Sequence, residues 1–478
     1  MKRNRRIKIL ATLGPASDTE EMIEKLNIAG ADAFRINMSH TSHKKLNELY
    51  TAIRNVETKT GHPIGILVDL QGPKLRVDTF VDDKVELKKG QTFQLDGNPE
   101  PGDATRVYLP HPEILSSVEA GHKLLLDDGR IILEATKVEN NIITTKVMNN
   151  CVISNRKGVS LPDTLLPVTA MTPKDDADLE AALKLDIDFI ALSFVQRASD
   201  VDDVQAIVGD KAKVIAKIEK PAAVDAIEEI IISSDGIMVA RGDLGVELPI
   251  QQLPGIQKLI TRASRTAGKP VIVATQMLES MIESPMPTRA EVSDVATAVY
   301  EGADAVMLSA ESAAGSYPVE AVQMMSNIAH EAEIDPLYAD IIYAHQTEAD
   351  STSADAISAA VYAVAETLNL SAIVCYTESG ATAARVSRER PKNRILTLTP
   401  SKATARNLSL TWGVYSVPVE SFNNENDMIN HACETAYQHD LVKFGDHIVI
   451  TAGIPYGRPG TTNMLRIAAI GKNGKCAD

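Results

Sequence analysis

The sequence predicts an α/β protein with a (β/α)8 barrel, a small β-barrel lid domain inserted into it, and a C-terminal α/β domain of three layers. Eight short apolar runs alternate with helical patterns, one long gap separates the third run from the fourth, and a second strand–helix pattern starts after about residue 340. We expect the barrel at 1–71 and 169–340, the lid at 72–168 and the C-terminal domain at 341–478. An open doubly wound sheet is the structural alternative, and it would place the same strand ends along a line.

The eight apolar runs are rich in β-branched residues. Most of them are almost continuously apolar, which is typical of parallel strands buried on both faces. They lie at 7–14, 33–39, 64–70, 188–194, 213–219, 236–243, 270–276 and 305–311. Amphipathic helical patterns separate most of the runs, around 20–29, 44–57, 175–184, 221–232 and 255–267. Eight strand–helix units are the number that a closed barrel needs.

The gap between the third and fourth runs is too long for one helix. Residues from about 72 to 168 contain alternating segments such as KVELKKG, RVYLP, KLLLDDGRIILEA and NIITTKV. Asp128-Gly129 between two apolar runs predicts a hairpin turn. We therefore expect a small β domain after the third strand, acting either as a lid or as a passive insertion.

The pattern after residue 340 predicts a separate domain with its own parallel sheet. ADAISAAVYAVAETL places Ile357, Val361, Val364 and Leu368 on one helical face, and strands are expected at 371–376, 394–399, 413–419 and 447–452. The junction TESGATAAR (377–385) is able to cradle a phosphate. Ordinary turn chemistry explains this junction and the Gly/Pro-rich loop GIPYGRPGTTN (453–463) as well as ligand binding does.

The composition excludes two classes of partner. The 478 residues carry 48 Lys and Arg against 64 Asp and Glu, so the net charge is −16 at pH 7. This charge repels polyanions at long range, so we expect no nucleic acid and no membrane as partner. No run reaches the roughly 18 apolar residues of a membrane span, and the four cysteines lack metal or disulfide-framework spacing. We expect a cytoplasmic protein that can still bind small phosphates through a few convergent cations.

Polar residues end most of the predicted barrel strands, and in this fold the active site lies at those ends. They are Arg35, Asn37, Ser39, Asp69, Lys217, Glu219, Arg241, Gly242, Asp243, Thr275, Ser309 and Glu311. A charge inside a barrel is costly unless it is paired or binds a ligand. Any one of them could be a structural ion pair, but charges on so many strand ends at one end of the barrel predict an active site.

The residue types indicate the chemistry. Glu219 and Asp243 end adjacent strands with carboxylates, and one or two carboxylates with water and substrate oxygens commonly hold Mg²⁺. Arg35 suits a phosphate or a carboxylate through its planar donor fork. Lys217 beside a metal could neutralise the charge of a transferring phosphoryl group. No P-loop, zinc or GxSxG motif is present, and His40 could equally contact a nucleotide or cap a loop.

Several strings along the whole chain resemble the pyruvate kinase family. They are FRINMSH (34–40), DLQGPKLR (69–76), KGVSLP (157–162), AKIEK (216–220), SDGIMVARGDLGVELP (234–249), ATQMLESM (274–281), PTRAEVSDVATAV (287–299) and MLSAESAAGSYP (307–318). The resemblance implies transfer of a phosphoryl group from phosphoenolpyruvate to ADP, giving pyruvate and ATP in the last step of glycolysis. It also implies a barrel, an inserted lid and a C-terminal α/β domain.

The resemblance implies roles for the strand-end residues. Lys217, Arg35 and Thr275 would be catalytic. Lys217 would stabilise the transition state and Arg35 would hold the substrate phosphate, while Gly242, Asp243 and Thr275 would position the carboxylate end. Glu219 and Asp243 would bind Mg²⁺ or Mn²⁺. Thr275 and a nearby water are both candidates for the proton donor to the enolate, and Ser309 and Glu311 would orient this region.

The resemblance also implies a nucleotide site, partners and a larger assembly. The residues expected at the nucleotide phosphates are Asn37, His40, Arg76 and Lys157, the last two coming from the lid and its hinge. The C-terminal domain would take fructose bisphosphate, a sugar monophosphate, AMP or no effector, and these alternatives stay open. The chain would form a homotetramer.

One departure from the family concerns the monovalent cation. Many members bind K⁺ near the phosphates, and Asn37, Ser39 and Asp69 of this chain match that site. Leu70, Gln71 and Lys74 stand where those members have Thr, Lys and Glu. We interpret Lys74 as a tethered ammonium that replaces K⁺, with a solvated lysine at the lid hinge as the alternative.

Two other functions fit part of the pattern. A barrel lyase or aldolase that acts on an Mg²⁺-bound enolate would explain the acids and Arg35, but not a lid with Arg76 and Lys157. A catalytically inactive barrel that senses sugar phosphates through its third domain is the other interpretation. It would be free to lose the residues Lys217, Glu219, Asp243 and Thr275, yet all four are present.

Overall fold

Eight parallel strands form a closed barrel in the computed structural model, which describes residues 3–344, 350–422, 424–455 and 461–477. Each strand lies beside its neighbours along the chain, and the first strand pairs with the eighth. The strands are Lys8–Thr12, Ala33–Asn37, Gly65–Asp69, Phe189–Leu192, Lys213–Ile218, Gly236–Ala240, Val271–Ala274 and Ala305–Leu308. The predicted barrel is confirmed, and the open sheet was the wrong alternative.

Helices follow the barrel strands. They are Glu20–Ala29, His43–Thr60, Pro173–Ala182, Ala198–Val208, Pro221–Asp225, Ile227–Ser233, Arg241–Glu247, Leu253–Thr266, Arg289–Tyr300, Ala310–Ala313, Pro318–Ile334 and Pro336–Ala344, with 3₁₀ turns at Ile250–Gln252 and Glu279–Ile282. The helix predicted at 221–232 is two helices, because Ala226 leaves helical geometry at φ −98°, ψ 21°. Within the described ranges, no helix combines the length and apolar content that crossing a membrane takes.

Alternate strand side chains fill the inside of the barrel. The interior cluster contains Leu10, Leu67, Ile215, Met238 and Ile272, all almost fully buried. A second, larger cluster packs the outer strand faces against the helices. Because the interior is packed with apolar side chains, the polar residues of the strands are confined to their ends.

The region at 72–168, called the insert below, follows the third barrel strand. Its strands are Lys84–Leu87, Thr92–Asp96, Arg106–Tyr108, Lys123–Leu126, Ile131–Glu139, Ile142–Val147, Cys151–Ser154 and Val159–Ser160, with one helix at Pro112–Ser117. The predicted hairpin is confirmed: Asp128 (φ 55°) and Gly129 (φ 80°) turn the chain between two paired strands. A small β-barrel was expected, but the described strands bond as a six-stranded and a two-stranded sheet that share one core.

The C-terminal region contains a five-stranded sheet. Its elements are the strands Ala372–Tyr376, Arg394–Thr399, Val414–Pro418, His447–Gly453 and Thr462–Ala469, the helices Ser353–Thr367, Ala381–Arg388, Lys402–Asn407 and Glu425–Gln438, and 3₁₀ turns at Leu408–Leu410 and Lys472–Gly474. Alternate residues of Ala372–Tyr376 belong to two different apolar clusters, so both faces are covered and three layers result.

Two details of this region differ from the prediction. The sheet is not purely parallel, because Thr462–Ala469 pairs antiparallel with His447–Gly453. That strand was missed because its mixed polar pattern is typical of a half-exposed sheet edge. Leu368, expected on the buried helical face, is 52% exposed just beyond the helix end. Residues 456–460 of the predicted Gly/Pro-rich loop lie outside the described residues.

Candidate active site

A cavity of about 400 Å³ lies where the carboxyl ends of the barrel strands face the insert. Its lining contains most of the polar residues that the sequence singled out, and polar residues of the insert join them. It includes Arg35, Asn37, Ser39, Asp69, Lys74, Arg76, Lys217, Glu219 and Asp243, together with Asp128, Gly158 and Ser160. Closure of the barrel explains the clustering, because the carboxyl ends of all the strands meet in one ring.

Lys217 is the buried cation at the centre of this lining, with 9% of the residue exposed. Its Nζ lies 2.8 Å from Glu219 Oε1 and 3.3 Å from Asp69 Oδ1, and it donates a hydrogen bond to Ser193 Oγ at 2.7 Å. Burial alone would lower the pKa of Lys217, but the two carboxylates outweigh burial and raise it. The ammonium therefore stays charged at neutral pH.

Arg35 and Asp69 form the neighbouring ion pair. The guanidinium Nε donates to Asp69 Oδ2 at 2.7 Å, its Nη2 lies 2.6 Å from the same oxygen, and its Nη1 donates to Thr12 Oγ1 at 3.1 Å. Burial would raise the pKa of Asp69, but Lys217 and Arg35 hold it below its usual range. Asp69 thus keeps its charge and orients two cations towards the cavity.

Glu219 and Asp243 supply oxygens that could hold a divalent cation. Burial and the nearby charge of Glu219 raise the pKa of Asp243 above its usual range, so a cation between the two acids would relieve their repulsion. Within the described parts of the chain, no set of three or more His, Cys, Asp or Glu could hold a metal ion. Two carboxylates completed by water and substrate oxygens are what Mg²⁺ accepts, so these residues fit that ion.

Thr275 and Gly242 meet on adjacent strands beside this site. The Gly242 N–H donates to Thr275 Oγ1 at 2.7 Å, and the Thr275 hydroxyl donates to the Ala274 carbonyl at 2.6 Å. Thr275 has φ 69°, and Arg241 donates to its carbonyl at 2.7 Å. A β-branched residue rarely adopts a positive φ, so the backbone of Thr275 is strained.

Ser309 and Glu311 follow the eighth strand and hydrogen-bond to each other. Glu311 is 2% exposed, and its carboxylate accepts from the Ser309 N–H at 2.7 Å and from the Leu278 N–H at 3.2 Å. Glu311 therefore ties together the loops after the seventh and eighth strands.

A second cavity of about 680 Å³ adjoins the first and shares Arg35 and Asn37 with it. Its lining is more apolar and contains His40 and Ser309, together with Thr12, Pro15, Asp18 and Lys45, which the sequence did not single out. Lys157 lines neither cavity, because its Nζ pairs with Asp127 Oδ1 at 2.7 Å inside the insert.

Four further residues of the first cavity escaped the sequence reasoning: Ser193, Phe194, Lys220 and Glu247. Ser193 and Phe194 end the fourth apolar run and Lys220 follows Glu219, so the search at strand ends could have found them. Glu247 lies four residues after Asp243, and only a helix brings such residues to one face.

Comparison with known proteins assigns the two main regions of the chain to one family. The profile "Pyruvate kinase, barrel domain" matches residues 4–322, and "Pyruvate kinase, alpha/beta domain" matches 355–468. A pyruvate kinase of Methylorubrum extorquens is 57% identical over 470 residues, covering 98% of both chains. One of Agrobacterium vitis is 47% identical, covering 98% of this chain and all of that protein. A crystal structure of a pyruvate kinase from Cryptosporidium parvum matches with a TM-score of 0.92 at 33% identity, covering 98% of this chain and 96% of the other. The chain therefore belongs to the pyruvate kinase family of phosphotransferases.

Proposed function

We propose that the chain transfers the phosphoryl group of phosphoenolpyruvate to ADP in the 400 Å³ cavity, giving pyruvate and ATP. The observation that carries this is the convergence of the Lys217 ammonium and the Arg35 guanidinium with the Glu219 and Asp243 carboxylates on one lining. Two fixed cations beside two acids are what phosphoryl transfer needs, because its catalysis is mostly positioning and charge stabilisation.

Glu219 and Asp243 would hold Mg²⁺ or Mn²⁺. When bound, this ion would neutralise phosphate and enolate oxygens. Lys217, already 2.8 Å from Glu219, would face the phosphoryl group from the same side and stabilise the charge that spreads over it. Arg35 would hold the substrate phosphate, since an Nε hydrogen bond and the ion pair with Asp69 Oδ2 fix the guanidinium.

Gly242 and Thr275 would position the carboxylate end of phosphoenolpyruvate. Thr275 Oγ1 carries a proton that it now donates to the Ala274 carbonyl. To protonate the enolate, the hydroxyl must turn away from Ala274 or act through a water. Glu311 would support this step by holding the two loops beside Thr275 together.

The second cavity would take the nucleotide. Its apolar lining suits a base, while Arg35 and Asn37, which it shares with the first cavity, would meet the phosphates at the point of transfer. His40 lines the same cavity, and Arg76 reaches the phosphates from the insert. Lys157 would join them on release from Asp127, and the insert would then act as a lid.

Lys74 would take the place of K⁺. Its exposed side chain lines the first cavity together with Asn37, Ser39 and Asp69, the residues that match the cation site of the family. Partial burial and the nearby charge of Arg76 lower the pKa of Lys74, as expected of a cation crowded by others. On this proposal the reaction runs without K⁺.

The same proposal divides the chain into the barrel, a lid at residues 72–168 and a C-terminal domain at 341–478. It also includes a homotetramer, a cytoplasmic location and an effector site in the C-terminal domain. The segment 377–385 supports the effector site, because Gly380 donates to Thr377 Oγ1 at 3.0 Å and helix Ala381–Arg388 begins directly afterwards. Such a turn directs backbone N–H groups at a phosphate.

Pyruvate release from phosphoenolpyruvate and ADP, followed by NADH oxidation with lactate dehydrogenase, tests the function. We expect turnover that needs Mg²⁺ or Mn²⁺ and stops with excess EDTA. No pyruvate release with either metal would refute the proposal, and release without ADP would indicate a different enzyme of the barrel class.

A further inference from the structure

Phe194 connects the barrel to the core of the insert. It follows the fourth barrel strand, yet its side chain belongs to the apolar cluster of the insert, whose other fully buried members all come from 75–166. The residue is 8% exposed. Its backbone has φ 63°, a conformation that bulky L-residues rarely adopt, so the contacts around it must hold it there.

The backbone of the same residue contacts a proposed metal ligand. The Phe194 N–H donates a hydrogen bond to Glu219 Oε2 at 2.9 Å, while Glu219 Oε1 faces Lys217. The position of Glu219 therefore depends on where the Phe194 backbone lies, and the ring in the insert core sets that position.

A buried ion pair borders the other side of the ring. The Lys220 ammonium lies 4.5 Å from the Phe194 ring centroid and pairs with Glu247. Glu247 ends the helix Arg241–Glu247, which contains Asp243, and Ser160 and Leu161 of the insert lie against its carboxylate. The two acids proposed to hold the metal thus each have a neighbour that contacts the insert.

We propose that Phe194 is a positioning residue that couples the placement of the insert to the metal ligand Glu219; this rests on the proposed function. When the insert moves relative to the barrel, the ring moves with it and the N–H leaves Glu219 Oε2. The freed carboxylate then turns towards Lys217 and binds the divalent cation more weakly. Metal affinity is therefore highest when the insert is packed on Phe194.

The test compares Phe194→Ala with Phe93→Ala. Both remove a ring from the same apolar cluster, but Phe93 is fully buried inside the insert, on strand Thr92–Asp96, none of whose residues lines the 400 Å³ cavity. Mn²⁺ binding to the full-length protein is measured by electron paramagnetic resonance without substrates, and circular dichroism checks the fold. We expect affinity to fall five- to tenfold in Phe194→Ala and to stay within twofold of wild type in Phe93→Ala.

A milder variant keeps the proposal testable if Phe194→Ala does not fold. Phe194→Leu keeps an apolar anchor in the insert but loses the aromatic face for Lys220, and we expect its Mn²⁺ affinity to fall two- to fivefold. Wild-type affinity in the folded Phe194 variants, or an equal loss in Phe93→Ala, would overturn the coupling while leaving the proposed function intact. Absence of Mn²⁺ binding in the wild-type protein would instead count against the proposed function.

Discussion

Replacing Lys217 with methionine removes the buried cation between Glu219 and Asp69 while keeping most of the side-chain volume. In the wild type, its Nζ is 2.8 Å from Glu219 and 3.3 Å from Asp69. Arg35 still compensates Asp69 in the variant, because that ion pair does not involve Lys217. The variant therefore loses one positive charge at the proposed phosphoryl group and leaves Glu219 unpaired.

The size of the effect follows from these contacts. Loss of one preorganised donor to transition-state charge costs about 10²- to 10³-fold in kcat. Since Lys217 is a full charge shielded from water, we expect the upper end, about 10³-fold or about 4 kcal/mol of barrier. The metal should respond in the opposite direction. Glu219 no longer shares its Oε1 with an ammonium, so Mn²⁺ affinity should equal or exceed that of the wild type.

Lys213→Met is the matched control, because Lys213 begins the same strand at its other end and pairs with Asp235 on the surface. Pyruvate release gives kcat, and electron paramagnetic resonance gives Mn²⁺ affinity. The control should keep kcat within twofold of the wild type. A Lys217→Met enzyme with kcat within tenfold of wild type, or one that loses Mn²⁺ binding together with kcat, would refute the reasoning, since either result would make Lys217 a structural residue.

Two further predictions concern the monovalent cation and the loss of stability at acidic pH. The turnover rate of the wild type should be the same in K⁺ and tetramethylammonium salts. The turnover rate of Lys74→Glu should be at least tenfold higher in K⁺ than in tetramethylammonium. Strong K⁺ activation of the wild type would reject the role of Lys74. Burial alone would raise the pKa of Asp32, but Arg5, Arg3 and Lys8 bring it down to about 2, below the value of about 3.9 in an unfolded chain. Its stabilisation is thus complete above about pH 5 and lost as pH falls towards 2. The Tm difference between wild type and Asp32→Asn should be constant from about pH 6 to 5, below the pKa of about 8 of the neighbouring Lys8, and shrink below about pH 4; a difference that grows in acid would contradict this sign.

Much of the fold could be predicted because its signals are local. A strand buried on both faces must be apolar along its whole length, and the amphipathic pattern predicted at 20–29 is the helix Glu20–Ala29. The same reasoning missed Thr462–Ala469, Thr92–Asp96 and the break at Ala226. Half-exposed strands and one-residue breaks carry weak periodicity, and their geometry depends on neighbouring elements.

The sequence by itself determined which residue types end the barrel strands, and hence that cations and carboxylates meet at one rim. It determined this because strand ends follow from apolar periodicity, and parallel strands in a ring bring their ends together. Only the tertiary structure decided the pairings: Arg35 with Asp69, Lys217 between Asp69 and Glu219, and Lys220 with Glu247. It alone placed the Phe194 ring in the core of the insert and directed Lys157 to Asp127. The physical reason is that the partner of a side chain depends on distances of a few ångströms between elements far apart in the chain, and no local pattern encodes those distances.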